Sequence, residues 1–176
     1  RDVGTYIAWA DRDLRDAIDA GRAIGPRMQV SGFYLTVPGG GGDLVIPGNP
    51  ESEIPAQVRM GVARGPEEFR QTAERAVAGG ADFIKVIASG AVLAYGGVPG
   101  EPEMTPGEIE AVVKVAHAHD LKVSAHAHGA RSIKEAILAG ADTIEHASLI
   151  DDEGIALARE HDVALSMDVY NGDYID

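Results

Sequence analysis

The sequence predicts an α/β fold: a (β/α)8 barrel of the TIM type that is incomplete, with roughly strands 2 or 3 to 7 present and the first and last strands missing. Predicted strands and helices alternate four times along the chain, which is typical of a parallel sheet. One helix-to-strand junction occurs twice, in residues 78–84 and 139–144, as repetition of a βα unit would produce. No Gly-x-Gly-x-x-Gly turn opens a helix, which favours the barrel over a doubly wound sheet.

The chain is too short for a complete barrel. It has 176 residues, whereas a barrel of eight strands needs ~200 or more, and only five or six strands can be counted. It begins at Arg1 with neither an initiator methionine nor the apolar core of a signal peptide. We therefore expect residues 1–176 to form a partial barrel domain, the central segment of a longer protein.

The first predicted elements are followed by a long loop. Asp11 is a plausible N-cap for a helix that reaches Ala20, with Gly21 directly after it. A strand is predicted over residues 27–31. Residues 37–62 are rich in glycine and proline, and a loop of this length is uncommon in a compact domain unless it is functional. We predict that this segment lies over an active-site face.

From residue 66 onwards, the predicted helices and strands alternate regularly. Pro66 opens one helix, and Thr105-Pro106-Gly107-Glu108 is a capping box with proline at the first helical position. The carboxylates of residues 151–153 favour the first turn of a further helix, where the helix dipole stabilises negative charge. The helices are predicted over residues 66–78, from 105 onwards, 132–138 and 151–161, and the strands over residues 83–88, 121–125, 142–145 and 163–167.

The composition argues against several classes of function. Fifteen basic and 28 acidic residues give a net charge of −13, which argues against nucleic acid or an anionic membrane as a partner. The chain has no cysteine, so disulfides and thiolate zinc sites are excluded. No apolar run reaches transmembrane length. The cellular location stays open, and the cytoplasm is the default expectation for a chain without a signal-peptide core.

Three predicted strands carry a reactive side chain at or near their C-terminal ends: Lys85, His126 and His146. In a (β/α)8 barrel this end of each strand faces the catalytic mouth, and imidazole is a common ligand of zinc and other divalent transition metals. A single histidine after a strand is more often a hydrogen-bonded structural residue. The coincidence of three such positions on successive strands predicts a metal centre.

The motifs around these residues resemble the amidohydrolase superfamily. They occupy residues 83–90, 124–129 and 144–148, with further similarity at 149–154 and 166–171. Their order and spacing are similar to the imidazolonepropionase-like and prolidase-like branch, and most similar to Xaa-Arg/Xaa-Lys carboxypeptidases and Xaa-Pro dipeptidases. This resemblance implies a metal-dependent hydrolase that cleaves carbon–nitrogen bonds of small molecules, such as dipeptides or N-acyl amino acids, through metal-activated water.

The resemblance also implies roles for individual residues. A lysine ammonium cannot bind a cation, but the strand-four lysine of this family is carboxylated and bridges two zinc ions, and Lys85 matches that position. His126 and His146 match the ligands on strands five and six. His128 is expected to support catalysis by polarising the scissile group, and Tyr170 is expected to contact the substrate.

The sequence departs from the family pattern in two respects. The His-x-His pair of the family's first strand and the aspartate of its eighth strand have no counterpart here, so the site is expected to be partial, and inactive unless completed. Relatives often carry a histidine in the loop where this chain has glycine at Gly41. The identity of the substrate therefore stays open.

Two alternatives to the hydrolase also stay open. The strand of Lys85 resembles the Schiff-base strand of class I aldolases, in which the lysine is the nucleophile, although that chemistry needs no histidines on the later strands. The second alternative is a non-catalytic, metal-binding barrel fragment. Because a half-open barrel exposes sheet edges and apolar surface, we expect the isolated chain to form homo-oligomers.

Overall fold

Five parallel strands form one sheet in the computed structural model, which describes residues 1–45, 48–94 and 98–168. The strands pair in sequential order, from the first to the fifth. A doubly wound sheet reverses its strand order at a switch point, whereas a barrel adds each new strand beside the previous one. The predicted α/β fold is confirmed, and the strand order is that of a partial barrel. The strands are β1 (Tyr34–Leu35), β2 (Phe83–Ile87), β3 (Lys122–Gly129), β4 (Thr143–Leu149) and β5 (Ala164–Met167).

Helices cover one face of this sheet. The described helices are α1 (Ala10–Asp19), α2 (Gly65–Ala78), α3 (Pro106–Ala118), α4 (Ala130–Leu138) and α5 (Asp152–Glu160). All five residues of β2 are buried, as expected for a parallel strand covered on both faces. Ile84 and Val86 belong to the hydrophobic core, so the alternation of side chains along the strand places Lys85 on the opposite, inner face of the sheet.

The predicted start of α3 is confirmed. Thr105 is the N-cap, and its hydroxyl accepts a hydrogen bond from the Glu108 N–H while the Glu108 carboxylate accepts one from the Thr105 N–H at 2.7 Å. This reciprocal pair satisfies two backbone donors that a helix leaves free at its N-terminus. The apolar positions of α3, which recur at helical spacing, are buried against the sheet.

The strand predicted over residues 27–31 is wrong. Val30 makes only an isolated bridge with Asp2, and the first strand of the sheet is Tyr34–Leu35. The reason is a turn between the two segments, where Gly32 has a φ of 76° and donates its N–H to the Asp11 carboxylate at 2.9 Å. This contact also explains why Asp11 is not an N-cap: α1 begins earlier, and the Asp11 side chain is buried against Gly32.

The repeated junction seen in the sequence makes the same contact twice. Asp82 donates its N–H to the Val30 carbonyl and accepts the Val30 N–H on its carboxylate, at 2.8 and 2.9 Å. Asp142 makes the equivalent pair of bonds with Val123, at 2.9 and 2.8 Å. At each junction, two hydrogen bonds therefore connect the start of a new strand to an earlier segment of the chain. A side chain from an earlier helix also contacts each carboxylate: Arg15 and His117, at 2.8 and 3.0 Å.

Hydrogen bonds between its own side chains stabilise the described part of the segment 37–62. The Arg59 guanidinium donates two hydrogen bonds to the buried Asp43 carboxylate, at 2.8 and 2.7 Å, a fork-to-fork geometry that fixes both side chains. The Gly41 N–H donates to Glu103 at 2.8 Å, and a Cβ at Gly41 would lie 2.9 Å from the Ala91 backbone nitrogen. This packing leaves no room for a larger side chain at Gly41. None of the described helices is long and apolar enough to cross a membrane.

Candidate metal centre

The candidate metal centre lies on the inner face of the sheet, where β3 and β4 carry three histidines. His126, His128 and His146 each offer one ring nitrogen, and these nitrogens all lie within 4.8 Å of one another. The centroids of the three rings are 4.6, 4.6 and 4.7 Å apart, so the imidazoles form a nearly equilateral triangle. A cation could therefore contact ring nitrogens of more than one of these imidazoles.

An irregularity in β4 brings His146 into this triangle. His146 and Ala147 have φ values of 74° and 50°, and the pairing of β3 with β4 shifts register beside them. Adjacent residues of a regular strand point to opposite faces, yet Glu145 contacts Ser124 at 2.7 Å while His146 contacts the His126 ring. Both side chains therefore lie on the inner face. Left-handed backbone at non-glycine residues is costly and concentrates at functional sites.

The ring orientation of His126 and His146 is set by partners outside the triangle. The backbone of Gly90 raises the pKa of His126 against the effect of burial, and the buried Nε2 of His126 has no hydrogen-bond partner. His146 contacts the Asp168 carboxylate through Nδ1. Each ring thus has its Nε2 available for the centre, which is the arrangement that outer partners impose on metal-binding histidines.

The third ring, His128, is held in a similar way by a different kind of partner. Its Nδ1 lies 2.9 Å from the Ser148 hydroxyl oxygen, and its backbone N–H donates to the Ser89 hydroxyl at 3.0 Å. The ring stacks on His146 with an angle of 17° between the two planes. His128 is therefore part of the same cluster as the two predicted ligands.

His126 and His128 lie in surroundings that disfavour a positive charge. Burial, together with the nearby Lys85 and the other two imidazoles, lowers the pKa of His126 to about 3. Burial also lowers the pKa of His128, with a contribution from His146. His126 and His128 are neutral at pH 7, which is the form that a metal requires of an imidazole ligand.

Lys85 is the most deeply buried charge carrier near the histidines. Its side chain is 3% exposed and its Nζ has no hydrogen-bond partner. Burial lowers the pKa of this amine to about 8, although Glu145 opposes the effect. Glu145 is itself engaged elsewhere: one of its oxygens accepts from Arg1, Ser124 and Thr143 at 2.6, 2.7 and 2.9 Å. Lys85 is therefore a buried amine that loses its proton more easily than an ordinary lysine.

The residues that the structure describes are compatible with a bound divalent cation. Two buried nitrogens, Lys85 Nζ and His126 Nε2, have no partner, and a buried polar atom without a partner is costly unless something binds it. Nitrogen ligands without thiolates suit zinc and similar ions. The four predicted site residues that the structure describes, Lys85, His126, His128 and His146, lie on one face of the sheet, and Tyr170 lies outside the described residues.

The sequence did not predict the residues that contact the histidine rings from outside the triangle, which are Gly90, Ser148 and Asp168. Only Asp168 gave a usable signal, because it follows directly after β5, at the strand end that faces the centre. Gly90 and Ser148 are ordinary loop or strand residues by composition. Their roles depend on contacts across 20 or more positions of the chain, which only the folded structure reveals.

Comparison with known proteins identifies the relatives of this fold and site. The Amidohydrolase family model matches residues 2–175. Ochratoxinase from Aspergillus niger is 32% identical over 159 residues, a match that covers 84% of this chain and 33% of the relative. The chain thus spans about one third of the length of this relative.

Solved structures give the same result. A Xaa-Pro dipeptidase with methionine bound in its active site superposes with a TM-score of 0.85 and 34% identity, over 93% of this chain and 40% of that protein. A prolidase in complex with N-methylphosphonate-L-proline gives a TM-score of 0.83 and 32% identity, over 90% and 40% of the two chains. The chain belongs to the amidohydrolase family.

Proposed function

We propose that this chain carries part of the active site of a metal-dependent amidohydrolase that cleaves the C–N bond of small, dipeptide-like substrates or N-acyl amino acids. The observation that carries this proposal is the convergence of three imidazoles beside a buried lysine without a partner. Similarity to a Xaa-Pro dipeptidase and to a prolidase favours dipeptides among the possible substrates.

His126 and His146 would hold the zinc through Nε2, and Lys85 would join them as a carboxylated side chain. Carboxylation turns a cationic amine into an anionic oxygen ligand, and the lowered pKa of Lys85 favours the neutral amine that reacts with carbon dioxide. When bound, zinc polarises the scissile carbonyl and lowers the pKa of the attacking water. A second zinc ion, as in the family's binuclear sites, would need ligands beyond the three residues named here.

His128 is proposed to act on the substrate rather than as one of these ligands. A neutral imidazole beside the centre can donate a hydrogen bond to the scissile carbonyl and so stabilise the charge that develops on its oxygen. Tyr170 remains a proposed substrate contact. The segment 37–62 is proposed to cover the substrate, since its Gly41 packs against the loop that follows β2.

Metal analysis combined with mass spectrometry under non-denaturing conditions tests this proposal. We expect bound zinc and a mass increment of one carbon dioxide that is lost on acidification. Lys85→Met should abolish the increment and His126→Gln should weaken zinc binding, whereas His161→Gln, at the exposed end of α5, should change neither. A folded chain that shows neither zinc nor the increment would refute the proposed centre.

The same mass measurement, repeated after borohydride reduction, separates the alternatives. A class I aldolase would form a borohydride-reducible adduct on Lys85 and would need no zinc, and membership of the amidohydrolase family argues against it. A non-catalytic fragment would bind zinc without the carbon dioxide increment.

A further inference from the structure

The three imidazoles of the centre differ in the chemistry of the group that each Nδ1 contacts. The His126 ring lies beside the backbone of Gly90, and the His146 ring contacts the Asp168 carboxylate. A backbone carbonyl or an ionised carboxylate can only accept a hydrogen bond from a ring nitrogen. His128 faces the Ser148 hydroxyl, which can either accept or donate. This difference has consequences for which ring nitrogen carries the proton.

An acceptor partner fixes the tautomer of a neutral imidazole. In His146 the nitrogen that contacts Asp168 is Nδ1, so a neutral ring carries its proton there and Nε2 keeps its lone pair. In His126 the buried Nε2 has no partner, which leaves this nitrogen for a cation. A lone pair on Nε2 is what a metal ligand needs. The available Nε2 atoms of these two rings therefore support their proposed role as ligands.

The hydroxyl partner of His128 permits the opposite arrangement. When Ser148 donates its hydroxyl proton to Nδ1, the ring proton is on Nε2, which is also the tautomer that an unperturbed neutral imidazole prefers. Among the described residues, no carboxylate or carbonyl is hydrogen-bonded to the His128 ring that would force the proton onto Nδ1. An Nε2–H group cannot ligate a cation, but it can donate a hydrogen bond to a substrate carbonyl.

We infer that the Ser148 hydroxyl donates its proton to His128 Nδ1, so that Ser148 is a positioning residue that holds His128 in the Nε2–H tautomer. His128 is then a hydrogen-bond donor to the scissile carbonyl, while His126 and His146 are ligands. This role rests on the proposed hydrolase function. It assigns two kinds of histidine within one cluster from the identity of their partners, and it gives Ser148, an exposed residue of β4, a function in the reaction.

Long-range proton–nitrogen NMR correlation spectra report the tautomer of each histidine directly. The sample is the full 176-residue chain, labelled with nitrogen-15 at histidine, from which a chelator has removed any metal. Single His→Gln variants assign the signals. We expect His128 to be predominantly Nε2–H, and His126 and His146 to be predominantly Nδ1–H. A predominantly Nδ1–H His128 would overturn the inference.

Two substitutions of Ser148 test the cause. Ser148→Asp replaces the hydroxyl with a group that only accepts, so it should switch His128 to the Nδ1–H tautomer, whereas Ser148→Thr keeps a hydroxyl and should leave it unchanged. Unaltered His126 and His146 signals in both variants show that the centre is still folded. If His128 stays Nε2–H in Ser148→Asp, Ser148 does not set its tautomer and the inference fails.

Addition of zinc distinguishes this inference from the proposed function. In the wild-type chain, zinc should shift the Nε2 signals of His126 and His146 and leave the Nε2 proton of His128 in place. Zinc that displaces this proton makes His128 a third ligand and contradicts the inference. Zinc that shifts none of the three rings contradicts the proposed metal centre, while the tautomer measurement on Ser148 stands as a separate result.

Discussion

Replacement of Lys85 with methionine is expected to stabilise the metal-free chain. The Lys85 side chain is 3% exposed and its amine has no partner, and burial lowers its pKa from 10.5 to about 8. The difference, 10.5 − 8 = about 2.5, corresponds to about 3 kcal/mol at ~1.4 kcal/mol for each pKa unit. Methionine has a similar length and no charge, so it removes most of this cost.

The advantage of the variant should depend on pH in a defined direction. Below pH 8 the lysine is protonated in both the folded and the unfolded state, so the full cost of the buried charge is present. Between pH 8 and 10.5 the unfolded state binds more protons than the folded state, and the stability of the wild-type chain rises with pH. The gap between the two proteins should therefore close over this range.

Urea denaturation measures this difference, with metal chelated and carbon dioxide removed from the buffer. At pH 7 the Lys85→Met chain should have the higher free energy of unfolding, and at pH 10 the two proteins should be closer. Lys114→Met is the matched control, since the Lys114 side chain is 78% exposed and its replacement should change little. A Lys85→Met chain that unfolds at the same or lower urea concentration than wild type at pH 7 would refute the reasoning.

Three further outcomes are expected. Asp142→Ala should lower the free energy of unfolding by about 1–3 kcal/mol, because the buried Val123 N–H loses its acceptor; an unchanged urea midpoint, as expected for the exposed control Glu160→Ala, would contradict this. Gly129→Ala should cost about 1–3 kcal/mol, since its Cβ would lie 2.1 Å from the Gly100 carbonyl oxygen; a thermal midpoint equal to that of wild type would exclude the clash. The isolated chain should self-associate through its exposed strand edges, and a purely monomeric sedimentation profile at tens of micromolar would count against this.

The sequence predicted those features of the fold that depend on local chemistry. The capping box at Thr105 and Glu108 and the apolar positions of α3 are properties of neighbouring residues, so their pattern was readable without tertiary contacts. The placement of Lys85, His126 and His146 on one face could be predicted because a barrel presents its strand ends at one face, a rule that needs only strand positions.

The parts that were missed depend on contacts between distant segments. The strand at Tyr34–Leu35 is displaced from residues 27–31 because Gly32 turns the backbone towards Asp11, a contact 21 residues away. The left-handed backbone at His146 could not be predicted, since histidine has no local preference strong enough to require it and the register shift beside β3 imposes it. Propensity and periodicity contain no information about either feature.

The carboxylate contacts of Asp82 and Asp142 have a consequence for how such a chain is made. Each aspartate binds backbone groups of a segment that precedes it in the sequence, Val30 and Val123, and each strand pairs with the one before it. During synthesis from N- to C-terminus, the segment that each of these two aspartates binds is therefore made before the aspartate itself. A chain with such contacts can fold unit by unit as it is translated.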